Sequence, residues 1–220
     1  MLTFYTHPLS PIARRVWITL LEKEIPFESV VVNLNGEQRK SQFLALNPFH
    51  HVPVIVDDGV RVLESLAILD YLEAKYPAPS LLPQSPEAIA RMRMVQMVTV
   101  HELTPKFAAL VPSNEGTAID EAVLSHVYTV FDFFTEQLTD MPYFGGEVLS
   151  LADVTAGAAL PLLVRLGIGL QDYPAIASWY ERLIERPAWQ QSEPDDDAFE
   201  IWKRWVSLMI KRRKQRAKRG

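Results

Sequence analysis

The chain has 220 residues and a mass of 25.0 kDa, with 48% apolar and 22% charged residues, the balance of a soluble globular protein with room for one large domain or two small ones. It contains no cysteine, which excludes disulfides, thiolate metal sites, iron–sulfur clusters and a cysteine nucleophile, and it has neither a long apolar run nor a charged-then-apolar start, so a cytoplasmic protein is expected. The formal net charge is −5, yet residues 211–220 hold seven Lys/Arg and no acid, so an acidic body carries a basic tail.

Met1–Tyr5 opens with a short apolar strand, and the turn-like THPLSP follows. Ser10-Pro11 is a helix start, a capping hydroxyl with proline at the first helical position. Ile12, Ala13, Val16, Trp17, Leu20 and Leu21 then define one broad buried face. Ile25-Pro26 ends that helix, and Phe27–Leu34 is a β-branched strand. Asn35–Lys40 is polar, and Ser41–Leu46 forms a short helical turn before Asn47-Pro48. Val54, Ile55 and Val56 form the next strand. Asp58-Gly59 is a two-residue hairpin signal, and Val60, Val62 and Leu63 make the return strand. Ser65 stands where a helix N-cap belongs, with Leu66, Leu69 and Leu72 at helical spacing behind it. The order β-α-β-α-β-β-α predicts a small mixed sheet with helices packed on it.

Pro77, Pro79, Pro83 and Pro86 then mark a linker, beyond which every pattern is helical. Helices are predicted over Glu87–Val111, Ala118–Leu138, Ser150–Leu166 with a kink at Pro161, Tyr173–Glu185, and Ala198 to about Ile210. No repeat is present, so a bundle is expected. The domains are therefore 1–77, a linker over 78–86, a helical domain over 87–195, and a terminal helix with its tail over 196–220. Ser150 and Asp153 have the spacing of a capping box, a device for stability and not for catalysis. Met92, Met94 and Met97 read as core packing. His101-Glu102 begins like a zinc-helix motif, but Pro105 stands where the second histidine belongs, so no metal is expected.

Two features in residues 47–72 point to a binding surface. A strand preceded by Val52-Pro53 lacks one backbone donor at its start, so this end is an edge or carries a cis bond. Glu64-Ser65 sets a carboxylate, a hydroxyl and free helix N–H groups at one point, which suits a zwitterionic amino-acid head.

With Ser10-Pro11, Lys40-Ser41, NPFHHVP (47–53), Glu64-Ser65, the proline-rich linker, SLADVTAG (150–157) and YPAIASWYERLIERPAW (173–189), the chain resembles a cytosolic glutathione S-transferase over nearly all of residues 1–190. The Ser-Pro start is similar to that of the serine-type classes (theta, phi, tau or a related bacterial class). The resemblance implies a thioredoxin-like α/β N-terminal domain, an all-α C-terminal bundle, and a homodimer. It implies that Val52, ahead of cis Pro53, pairs its backbone with the cysteinyl part of glutathione as an added strand would. Glu64 and Ser65 would hold the γ-glutamyl group, and Lys40 and His51 the glycyl end. His51 departs from the Gln or Lys that relatives often have there. The electrophile pocket would be shaped by Leu9, the helix near His101 and the C-terminal residues.

The chemical question is the thiol. A thiol of pKa near 8.5 is only a few per cent thiolate at neutral pH, and lowering it by two units takes about 2.7 kcal/mol of preference for the anion. One hydroxyl donor, of order 1.5–3 kcal/mol, together with a helix N-terminus, of order 0.3–1 kcal/mol, is sufficient. Ser10 offers both. It can also be a cap and nothing more, and Tyr5, at the end of the first strand, is the rival. The chain also lacks the SSCS-type start of the maleylacetoacetate-isomerase class.

The expected activity is conjugation of reduced glutathione, the co-substrate, to small hydrophobic electrophiles, with reduction of organic hydroperoxides as a second activity. The alternative is a non-catalytic interaction or regulatory module on the same fold. Phe199, Trp202, Val206 and Met209 share a helical face ahead of the basic tail. That helix reads as a cover over the electrophile pocket and the tail as a solvated run, or as a contact for nucleic acid or an anionic membrane.

Overall fold

The computed structural model describes residues 1–34, 36–111 and 119–217, the side chains of Met209 and residues 211–217 excepted. Four strands, β1 (Leu2–Thr6), β2 (Phe27–Val31), β3 (Val54–Asp57) and β4 (Val60–Leu63), form one mixed sheet in the order β2-β1-β3-β4. β1 runs parallel to β2 and antiparallel to β3, and β3 runs antiparallel to β4. In β1, Leu2, Phe4 and Thr6 are buried and alternate with half-buried Thr3 and Tyr5. Asp58 and Gly59 both have positive φ, as a two-residue hairpin turn of this twist requires. β2 is shorter than predicted. After Val32 N–H donates to Thr6 C=O at 2.8 Å, the chain leaves the sheet.

Helices α1 (Pro11–Glu22), α2 (Ser41–Leu46) and α3 (Ser65–Lys75) complete the N-terminal unit. The burial of α1 is wider than its apolar face predicts. Arg14, Arg15, Ile18 and Thr19 are also buried, whereas Ile12 is 38% exposed. The reason is that α1 packs on α3 within its own domain and on α7 (Leu151–Gly157) and α10 (Pro187–Ser192) of the next.

The C-terminal unit is all helical. α4 (Pro86–Val98) does not continue to Val111; a π-helical turn (Thr99–Leu103), a 3-10 turn (Thr104–Lys106) and α5 (Phe107–Leu110) follow it. Pro105 supplies no N–H, and the Thr99 and Thr104 hydroxyls donate to the carbonyls of Val95 and Thr99, local competitors of regular geometry. α6 (Glu121–Leu138) precedes α7, and the predicted kink at Pro161 is a full break, with α8 (Leu160–Arg165) starting anew around that proline. α9 (Pro174–Ile184) and α11 (Asp196–Ala217) complete the unit. Gly157 allows a close approach: a Cβ there would meet Leu183 Cδ1 at 2.4 Å, so a larger residue needs the buried Leu183 side chain to shift.

Asp153 joins this unit together. Its buried carboxylate accepts from Ser150 N–H (2.8 Å) and Oγ–H (2.7 Å), from Phe144 N–H (2.9 Å) and from Trp179 Nε1–H (2.9 Å). Met92 is buried as expected, but Met94 and Met97 are 46% and 41% exposed. Phe199, Trp202 and Val206 are buried together against Val111, so that face of α11 packs as predicted. α11 runs past the predicted end near Ile210 to Ala217, while the side chains of Met209 and of residues 211–217, and residues 218–220 altogether, lie outside the described residues.

Candidate active site

The register of the sheet gathers the candidate residues at one end of its strands. Tyr5 near the end of β1 pairs with Val54 at the start of β3, and Val54 pairs with Leu63 at the end of β4. The segments that follow β1 and β4, and the segment that precedes β3, therefore emerge side by side. These carry Ser10, Glu64-Ser65 and Val52-Pro53, and the N-termini of α1 and α3 lie at the same end of the sheet.

Ser10 is extended, at φ −92° and ψ 107°, and half-buried. Its Oγ accepts from Ala13 N–H at 3.1 Å, and its own N–H donates to His7 C=O at 2.9 Å. The Oγ hydrogen has no acceptor among the described residues. The cap thus leaves one donor available at a helix N-terminus, the pair of features that thiolate stabilisation needs. Tyr5 is placed differently. It points away from the side buried by Leu2 and Phe4, with its ring edge-on to Phe43 at 6.5 Å in a small cluster beneath α2.

The Val52-Pro53 bond is cis. Val52 stands outside the β3 ladder, which begins at Val54, and its backbone N–H and C=O have no partner among the described residues. Buried Asn47 shapes this loop from within, donating Nδ2–H to His51 C=O at 2.8 Å and accepting Phe49 N–H at 2.9 Å. His51 and Lys40 are exposed, and Lys40 precedes the first residue of α2.

Ser65 is not the N-cap. It is the first helical residue of α3, and Glu64 holds the cap position at φ 63° and ψ 120° without a side-chain bond. A left-handed glutamate costs of order 1–3 kcal/mol, and here it turns the Glu64 carboxylate out to solvent while Ser65 stays buried. His101 is exposed on the π-helical turn and lines neither cavity that contains Leu9. Among the described residues no cluster could hold a metal ion.

Leu9 and Trp202 line two adjoining cavities. One, of about 400 Å³ of empty space, is bounded by Ser10, Pro11 and Arg14 on one side and by Arg165 and Phe199 on the other. Its charges are mutually satisfied. Arg14 and Arg165 both pair with Glu193, and the Arg165 guanidinium lies 4.1 Å from the Phe199 ring centroid. Burial pulls the Arg14 pKa down, and Glu193 pulls it back.

Arg15 is the residue missed by the sequence reading. It is 1% exposed, donates from Nη1 to Ser65 Oγ at 3.5 Å, leaves Nε without a partner, and faces no carboxylate at ion-pair distance among the described residues. Burial lowers its pKa to about 10. The available signal was two adjacent arginines interrupting a buried helical face.

Residues 4–80 match the family of the glutathione S-transferase N-terminal domain, and residues 98–187 that of the glutathione S-transferase C-terminal domain. The chain is 34% identical over 208 residues to glutathione S-transferase 3 of Zea mays, covering 87% of this chain and 92% of the relative. It is 32% identical over 198 residues to maleylacetoacetate isomerase of Rattus norvegicus, covering 86% and 91%. A crystal structure of a glutathione S-transferase from Rhodospirillum rubrum superposes with a TM-score of 0.75 at 29% identity, covering 89% of this chain and 94% of that one. The chain belongs to the glutathione S-transferase family.

Proposed function

We propose that Ser10 activates the thiol of reduced glutathione in a chain whose activity is conjugation of that thiolate to small hydrophobic electrophiles. The observation that carries the assignment is a helix-capping hydroxyl whose own hydrogen has no acceptor among the described residues, at the strand ends where Val52 and Glu64-Ser65 also emerge. Val52 supports the cysteinyl backbone, Glu64 and Ser65 hold the γ-glutamyl head, and Lys40 and His51 serve the glycyl carboxylate. Arg15, buried beneath Ser65, adds positive potential under the γ-glutamyl carboxylate. The electrophile enters between Leu9 and α11.

The serine-type class is read from Ser10-Pro11, and the chain lacks the SSCS-type start that the resemblance assigns to the maleylacetoacetate-isomerase class. Hydroperoxide reduction is a secondary activity in this reading. A homodimer is expected, with Phe49, Met94 and Met97 as exposed apolar candidates for its interface. The expected setting is cytoplasmic, and no described helix is long and apolar enough to cross a membrane.

Steady-state kinetics of Ser10→Ala test the assignment. A donor to a developing or resident anion contributes roughly 10²–10³ in rate when removed. The expected result is a fall in kcat of that order, with the glutathione KM changed less than threefold. An unchanged kcat would place the activating group elsewhere, with Tyr5 and backbone donors next in line.

A further inference from the structure

The turn between β1 and α1 holds one side chain that neither the fold nor the thiolate chemistry uses. His7 is half-buried, and its Nδ1 accepts the N–H of Leu9 at 3.1 Å. That bond places the hydrogen of the neutral ring on Nε2. Nε2 has no hydrogen-bond partner among the described residues. Burial also holds the His7 pKa below the ordinary imidazole value, so the ring at neutral pH is a neutral donor.

The ring forms part of the second of the two cavities, about 390 Å³ of empty space opening to solvent. Leu9 and Leu34 stand beside it, and Ile201, Trp202 and Trp205 of α11 face it. An apolar, aromatic cavity with one fixed polar donor selects a flat apolar body bearing one acceptor. In the adjoining cavity the arginines and Glu193 are already paired, and the free hydroxyl of Ser10 is the donor assigned to the thiolate. Ser10 N–H donates to His7 C=O at 2.9 Å, so the same turn ties the imidazole to the residue assigned to the thiolate.

We propose that His7 is a substrate-contacting residue of the electrophile site, whose Nε2–H donates to the carbonyl oxygen of planar α,β-unsaturated carbonyl compounds. The assignment rests on the transferase reading of Ser10. In the addition, the thiolate sulfur forms a bond to the β-carbon and the π bond between the α- and β-carbons breaks. The electron pair moves to the oxygen as an enolate, which the Nε2–H meets. A proton from water then reaches the α-carbon, and the carbonyl re-forms. Because negative charge on that oxygen grows towards the transition state, the hydrogen bond strengthens there and raises the rate. Displacement at a benzyl halide sends the charge to the departing halide and has no such oxygen.

The test compares trans-cinnamaldehyde with benzyl chloride as acceptors for the wild type, His7→Phe and His7→Gln. The expected result for His7→Phe is a fall of about tenfold or more in kcat/KM for cinnamaldehyde, with benzyl chloride within about twofold. His7→Gln, which keeps an N–H donor, should recover part of the loss. An equal fall for both acceptors, or no fall for either, overturns the assignment while leaving the transferase reading intact. A wild type that binds glutathione but is inactive towards cinnamaldehyde overturns this assignment alone, whereas a wild type that binds no glutathione removes the transferase reading and this assignment with it.

Discussion

A buried guanidinium without a carboxylate partner is an expensive thing for a small domain to keep, and Arg15 is one. Its folded pKa, about 10, lies below the ordinary arginine value, so the charged form is disfavoured by about 3 kcal/mol. The sign follows directly. The penalty is fully present at neutral pH and is relieved only as pH rises past about 10. Under the role proposed for Ser65, that cost is offset by substrate recognition, through Ser65 to the γ-glutamyl carboxylate. Arg15→Met should therefore keep or raise the melting temperature while raising the glutathione KM about tenfold or more, as loss of a charge-assisted contact does. A lower melting temperature with an unchanged KM would contradict this role. Ser10 was legible in the sequence because a cap followed by proline is a local signal. Arg15 was not, because the apolar period of α1 describes one packed face and the helix is packed on several sides.

At the scale of elements, the β3–β4 hairpin is fastened to α3 through Asp57. That buried carboxylate accepts from Tyr76 Oη–H (2.8 Å) and Tyr71 Oη–H (3.2 Å) and pairs with Lys75 (2.8 Å). Burial pushes its pKa up, but Lys75, Tyr76 and Tyr71 together outweigh burial and hold it below the usual carboxylate value. A depressed carboxylate stabilises the fold above the unfolded value near 4 and loses that contribution as pH falls through the folded value. Asp57→Asn should cost about 1–3 kcal/mol in urea unfolding at pH 7, and the difference from wild type should shrink at pH 3. An equal difference at both pH values would show that the carboxylate charge is not what holds the hairpin. The hairpin itself was readable from Asp58-Gly59. Its fastening was not, since the partners lie on α3 and just beyond it, at no fixed spacing. Ser65 was misplaced by one residue for a related reason. Serine is a frequent cap, but the chain enters α3 through a left-handed Glu64, which no local preference announces.

Across the whole molecule, the two units are held by charges that cross between them. Glu22 accepts both Nε–H and Nη2–H of Arg186, at 2.9 and 2.6 Å, and Arg14 pairs with Glu193 while its Nη2–H donates to Trp189 C=O at 3.2 Å. Phe199 and Trp202 on α11 then close over Leu9. The candidate site therefore lies at one end of the N-terminal sheet, with a wall supplied by the last helix. The division into an α/β unit and a helical unit was legible because strand patterning stops at the proline-rich linker. The continuous helix expected to Val111 was not found, because side-chain competition at Thr99 and Thr104 is invisible to periodicity. The role proposed for Ser10 is to stabilise the bound thiolate. Ultraviolet difference titration of bound glutathione, wild type beside Ser10→Ala, tests it most directly. The expected result is a thiolate pKa well below that of free glutathione in the wild type, returning towards the free value in the variant. A depressed value that the substitution leaves unchanged, or no bound glutathione at all, would contradict it.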